Sequence, residues 1–142
     1  MQIRKTVVVD KPLIEVFDYL ADFTTTTQWD PNTVVTTRVS GAGEVGTTYV
    51  NTSRFRGRET KLRYVVEDVE TDLFVRLRGE NATLRATDTI EFDRVDGLTR
   101  VTYTADFQLK GVWRLAAPLV RGALQELGDT AADGMKSALE SL

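Results

Sequence analysis

In the stretch Leu84-Arg85-Ala86-Thr87-Asp88-Thr89-Ile90-Glu91-Phe92, apolar and polar residues alternate, and Asp88 falls where a hydrophobe is expected. A carboxyl group between Ala86 and Ile90 on an apolar face loses hydration. Its pKa then rises unless a cation or several donors support the charge. So placed, Asp88 is the candidate catalytic residue, a general acid or base, or else a polar anchor for a ligand hydroxyl or carbonyl. The structural alternatives are a bulge that turns it outward, or a pairing with Tyr or Arg. The 142 residues include no histidine and no cysteine. Disulfides, thiol catalysis and a Ser-His-Asp triad are therefore excluded, and a zinc site would have carboxylates alone to use. Acid–base work falls to Asp, Glu, Tyr, Lys or Arg; no metal and no cofactor is implied.

Other polar groups fall on the same kind of surface. Asn51 and Ser53 share a face with Tyr49 and Phe55. If that face is concave they are sparse donors and acceptors in an apolar pocket; if not, they are ordinary solvent-facing residues. Tyr64 and Tyr103 combine large apolar bodies with one hydroxyl each. Trp29 and Trp113 stand near opposite ends of the strand-rich region, as a pocket rim or as packing anchors. Arg54, Arg56, Arg58, Lys61 and Arg63 cluster around one hairpin, relieved by Glu59. They read as a solvated face with charges paired to acids such as Glu67, or as an attractor for an anionic head group. Nucleic acid is not expected as the main partner, since the formal net charge is −3.

The string Ser40-Gly41-Ala42-Gly43-Glu44-Val45-Gly46 contains G-x-G-x-x-G. A phosphate-binding version needs a helix directly after it, with free N–H groups at its start. The next residues, Thr47-Thr48-Tyr49-Val50-Asn51-Thr52-Ser53-Arg54-Phe55, are rich in Thr, Tyr, Val and Phe and read as a strand. The glycines therefore read as a hairpin loop.

The elements that must position these residues are set by periodicity. Residues 2–9 are β-branched and read as a strand. Asp10-Lys11-Pro12 reads as a helix start, with Asp10 a candidate N-cap, followed by a stripe of Leu13, Val16, Phe17 and Leu20. Thr24 to Trp29 makes another helical turn before Pro31. Strands are expected at 34–40, 46–55, 59–70, 73–78, 83–94 and 98–109, broken at 41–46, Gly57, Thr71-Asp72, Gly79 to Asn81, and Asp96-Gly97. Gaps this short demand an antiparallel meander. From Val112 to the C-terminus the period becomes helical, with Ala116, Leu119, Ala123, Leu127, Ala131, Met135 and Leu139 recurring at three or four residues. Residues 118–141 would span about 36 Å of helix, enough to cross a sheet. One helix covering the apolar face of about seven twisted strands leaves a hollow.

This order resembles the helix-grip fold of the START/birch-pollen-allergen (SRPBCC) superfamily, in its polyketide cyclase/dehydrase-like branch. The residues that carry the likeness are Pro12 with Val16-Phe17 and Leu20, Trp29-Asp30-Pro31, Gly46-Thr47-Thr48-Tyr49, Gly97-Leu98-Thr99-Arg100-Val101, and Gly111 with Pro118-Leu119. They span the chain, but they concern turns and packing, and no catalytic motif transfers residue by residue. The expectation is one α+β domain over 1–142: a curved seven-stranded antiparallel sheet around a long C-terminal helix, with one or two short helices between strands 1 and 2. The resemblance implies that the first strand pairs with the last, and that a pocket between sheet and helix takes a small hydrophobic or amphipathic ligand such as a lipid or polyketide. Its expected lining is Trp29, Tyr49, Asn51, Ser53, Tyr64, Val66, Val75, Leu77, Asp88, Ile90, Tyr103, Ala105, Phe107, Leu119, Ala123 and Leu127. The alternative is a cyclase, aromatase or dehydratase using Asp88, and a third reading is a protein-interaction module. Without a leader pattern, a cysteine or an apolar run near the ~20 residues of a membrane span, the expected location is cytoplasmic.

Overall fold

The computed structural model describes residues 1–142. Its elements are β1 (Gln2–Val9), α1 (Leu13–Ala21), a 3₁₀ turn (Phe23–Thr25) leading into α2 (Thr26–Trp29), β2 (Thr33–Ser40), β3 (Thr48–Phe55), β4 (Arg58–Glu70), β5 (Phe74–Glu80), β6 (Leu84–Val95) and β7 (Leu98–Leu109). A second 3₁₀ turn (Gly111–Ala116) then leads into α3 (Ala117–Glu140). All seven strands form one antiparallel sheet in the order β1-β7-β6-β5-β4-β3-β2. The short connections of β2 through β7 make a meander, and β1 closes onto β7 with Ile3 opposite Ala105 and Val7 opposite Val101. This is the helix-grip architecture.

Local chemistry explains most boundaries. Asp96 and Gly97 both have positive φ, the geometry of a tight hairpin turn, and they join β6 to β7. The Gly41–Gly46 segment is the β2–β3 loop, with Gly41, Gly43 and Gly46 all at positive φ. Its N–H groups are used internally: Ala42 donates to the Glu44 carboxylate at 3.0 Å and Gly43 to Thr47 Oγ1 at 3.0 Å. Gly79 is not a break, because β5 runs on to Glu80. It pairs with Tyr64, and a Cβ there would come within 2.6 Å of the Tyr64 ring. Glycine inside a strand here marks close approach by an aromatic side chain. Asp10 does not cap α1; Pro12 holds the N-cap position and makes no side-chain cap bond.

The concave face of the sheet is filled at one end only. There α1 inserts Val16, Phe17 and Leu20, and Phe17 meets Phe92 edge-on at 5.1 Å. Phe23 covers Tyr49 and Tyr64 with ring centroids 5.8 and 4.8 Å apart. Met135 and Leu139, from the last turns of α3, complete a core with Val66, Val75, Leu77, Ile90 and Val101. Glycine lets α3 come down tightly at this end: a Cβ on Gly134 would lie 2.1 Å from the Trp29 carbonyl oxygen. Toward its N-terminus α3 stands away from the sheet. Leu119 is 84% exposed, and Val112, Trp113 and Leu115 before it are exposed as well. No helix is long and apolar enough to cross a membrane.

Candidate functional site

Between the N-terminal half of α3 and the sheet lies a cavity of about 370 Å³ with 18 hydrophobic residues among the 29 that line it. That volume is at the small end of the range for small-molecule sites. The wall is built by strand alternation. Leu84 and Asp88 face inward from β6, Tyr103, Ala105 and Phe107 from β7, Leu62 and Tyr64 from β4, Asn51, Ser53 and Phe55 from β3. Ala123, Leu124, Leu127 and Ala131 of α3 roof it.

The floor is set by the strand register. On four strands of the sheet the last lining residue is polar: Asn51, Tyr64, Asp88 and Tyr103. The next inward-facing residue on each strand is Tyr49, Val66, Ile90 or Val101, and all four belong to the sealed core. The cavity therefore ends on a layer of polar groups laid over a dry interior.

Asp88 is at the centre of that layer and is only 5% exposed. It pairs between Leu77 of β5 and Ala105 of β7, with no bulge to turn it out. The Tyr103 hydroxyl donates to its Oδ2 at 2.5 Å, and the Tyr64 hydroxyl lies beside the same carboxyl as a second donor. Burial pushes the Asp88 pKa up to about 6. Hydrogen bonds from Tyr103 and, less strongly, from Tyr64 oppose the rise, and the negative charge of Asp30 adds to it. The same burial, with the carboxylate alongside, holds both tyrosine hydroxyls well above their ordinary range. They are donors at any ordinary pH.

Asp30 is the second carboxyl at the floor. It follows α2 and accepts from the Asn32 N–H at 3.0 Å and the Thr33 hydroxyl at 3.2 Å. Burial raises its pKa against those bonds. The preceding Trp29 is 3% exposed, meets Tyr103 edge-on at 6.0 Å, and has a buried indole N–H without a partner.

Asn51 and Ser53 face the cavity, but much of their capacity is already used. Ser53 Oγ donates to Asn51 Oδ1 at 2.7 Å, and Asn51 Nδ2 donates to Thr36 Oγ1 at 2.8 Å. Thr36 in turn meets Thr26, whose hydroxyl donates to the Phe23 carbonyl at 2.8 Å. This chain ties β3 to β2 and to the turn before α2. It builds the wall that holds Phe23 in place.

Of the residues expected from sequence, Trp29, Asn51, Ser53, Tyr64, Asp88, Tyr103, Ala105, Phe107, Ala123 and Leu127 line the cavity. Tyr49, Val66, Val75, Leu77 and Ile90 do not. They face the concave side, but α1, Phe23 and the end of α3 fill that half. Leu119 is also a correction: it is exposed on the flank of α3, while its neighbour Val120 joins Ala123, Leu124 and Leu127 on the side that faces the cavity. Glu67 pairs with Arg78 and not with the basic hairpin, whose Arg54 and Arg56 reach Glu59 and Glu126. Trp113 is half exposed and lies outside the cavity lining. Sequence reasoning missed Lys5 and Asp30 as lining residues. Lys5 had a signal: alternation in β1 puts it inward between Ile3 and Val7, both buried.

Comparison with known proteins agrees with this geometry. No sequence among curated proteins matches the chain. Solved structures with the same fold include the Zhui aromatase/cyclase from Streptomyces sp. R1128, at TM-score 0.85 and 13% identity over 99% of this chain and 93% of that one. A protein from Thermus thermophilus has TM-score 0.82 and 18% identity over 96% and 95% of the two chains. A START superfamily protein from Mycobacterium smegmatis has TM-score 0.75 and 13% identity over 99% and 94%. The family model described as polyketide cyclase / dehydrase and lipid transport matches residues 1–140. Matched along nearly its whole length, the chain belongs to that family.

Proposed function

We propose that this protein binds a small apolar or amphipathic molecule in the cavity between the sheet and the N-terminal half of α3. The observation that carries the reading is a mostly hydrophobic hollow of about 370 Å³ ending on a polar floor. Apolar burial supplies affinity, at about 25 cal/mol per Å² before the costs of association. The floor fixes which end of the ligand goes in first. Membership of a family described as polyketide cyclase / dehydrase and lipid transport supports this reading.

Titration with N-phenyl-1-naphthylamine, an uncharged apolar fluorophore, tests it. Binding should raise its emission, and Ala105→Phe, which fills the cavity from β7, should weaken binding at least about tenfold while the protein stays folded. Absence of binding by the unaltered protein, or equal binding by the filled variant, would contradict the proposal.

A second reading, acid–base chemistry of the cyclase or dehydrase kind, is favoured by the same carboxyl. Asp88 has a pKa near neutrality and a tyrosine donor beside it, as a proton-moving group requires. On this reading turnover of a polyketide-like substrate tracks the ionisation of Asp88 near pH 6, and Asp88→Asn abolishes it. Unchanged turnover in that variant would remove the role.

A further inference from the structure

We infer, building on the binding reading above, that the cavity selects ligands whose buried end donates a hydrogen bond, an alcohol, a phenol or a protonated amine, and rejects carboxylates.

The charges at the floor are of one sign. Asp88 and Asp30 both line it, close enough for each to be felt electrostatically at Tyr64 and Tyr103. The cavity has two cationic lining residues, Lys5 and Arg58. Lys5 turns its ammonium to Asp129 on the outer side of α3. Arg58 starts β4, six residues before Tyr64, or about 20 Å along the strand. Neither is placed to neutralise an anion at the floor. The acceptor capacity of Asp88 points the same way, and the unpartnered Trp29 indole N–H on the lining is matched by the oxygen of an alcohol or phenol as well as by a carboxylate. The Tyr103 hydroxyl is committed to Asp88 Oδ2, and the Tyr64 hydroxyl also lies against this carboxyl. An ionised carboxylate has about four acceptor sites, so Asp88 keeps acceptor capacity toward the cavity. An incoming hydroxyl or ammonium uses that remaining capacity. An incoming carboxylate offers a second desolvated anion instead. The reversed pose, with a carboxylate near Arg58 and the tail on the floor, covers the Asp88 carboxylate with hydrocarbon and leaves it only its tyrosine donors, which is also costly. Such discrimination works by leaving the wrong ligand's polar groups unmatched.

The test is displacement of N-phenyl-1-naphthylamine by decanol, decylamine and decanoate, which share one chain and differ in head group. Near pH 8, decanol or decylamine should compete at least about tenfold more tightly than decanoate. In Asp88→Asn the gap should shrink to about threefold or less. With decanesulfonate as the anion, which stays ionised throughout, the wild-type protein gives the same comparison without a substitution: lowering the pH from 8 to 6 half-protonates Asp88 and should narrow the gap about twofold. Decanoate competing as well as decanol in the wild-type protein overturns the inference and leaves the binding reading intact. A gap that persists unchanged in Asp88→Asn also overturns it. Failure of the fluorophore to bind at all removes both.

Discussion

The two halves of α3 meet the same sheet in different ways. In the C-terminal half, Met135 and Leu139 are buried and Gly134 lets the helix touch the backbone at Trp29. In the N-terminal half, Ala123, Leu124 and Leu127 are only half-buried over the cavity, Leu119 is exposed, and Gly122 has nothing within 4 Å of where a Cβ would go. The amphipathic pattern runs through both halves, so helix periodicity does not distinguish them. What does is the presence of α1 and Phe23 under one half and their absence under the other. Stability resides at the filled end, and the volume a ligand can use lies at the end left open.

Matched substitutions at the two ends sharpen this contrast. Leu139→Ala should cost about 3 kcal/mol in denaturant unfolding, as expected for a fully buried leucine, while Leu119→Ala should stay within about 0.5 kcal/mol. Equal costs would mean that α3 packs alike along its length. Gly134→Ala should destabilise by about 2 to 3 kcal/mol through the clash with the Trp29 carbonyl. Gly122→Ala should instead stabilise by up to about 1 kcal/mol, because helix propensity improves and nothing is displaced.

The floor between the halves has its own signature. Burial raises the Asp88 pKa to about 6, above its value in the unfolded chain, so the native state holds this proton more tightly. The contribution of Asp88 to stability therefore falls as pH rises from about 4 to about 6 and stays low above that. Asp88→Asn should raise stability near pH 8 by on the order of 2 kcal/mol and leave it nearly unchanged near pH 4. The smallest effect is expected at the exposed pair Arg56–Glu126, which links the β3–β4 hairpin to α3: Arg56→Ala should cost less than about 0.5 kcal/mol.

Much of this was legible in the residues. Alternation in β6 and β7 is regular, and it put Asp88, Tyr103, Ala105 and Phe107 on the inner face, where they are found. β3 alternates poorly, with Thr52 buried next to Asn51, so its inner face could not be assigned from pattern alone. The division of the concave side into core and cavity was not legible either. Tyr49, Val66, Val75, Leu77 and Ile90 read like lining residues, and only the docking of α1 and Phe23, distant in sequence, turns them into core. Asp30 escaped notice because it occurs in a turn, where aspartate ordinarily caps and faces solvent. Its burial depends on α3 closing over Trp29 and Pro31.

The most direct test is a crystal of the unliganded protein under xenon pressure, since xenon occupies dry apolar hollows. The account expects xenon between Ala105, Phe107 and Leu127, above Asp88 and Tyr103, and none among Val66, Val75 and Ile90. An α3 lying flat on the sheet along its whole length, with no xenon beneath its N-terminal half, would contradict it.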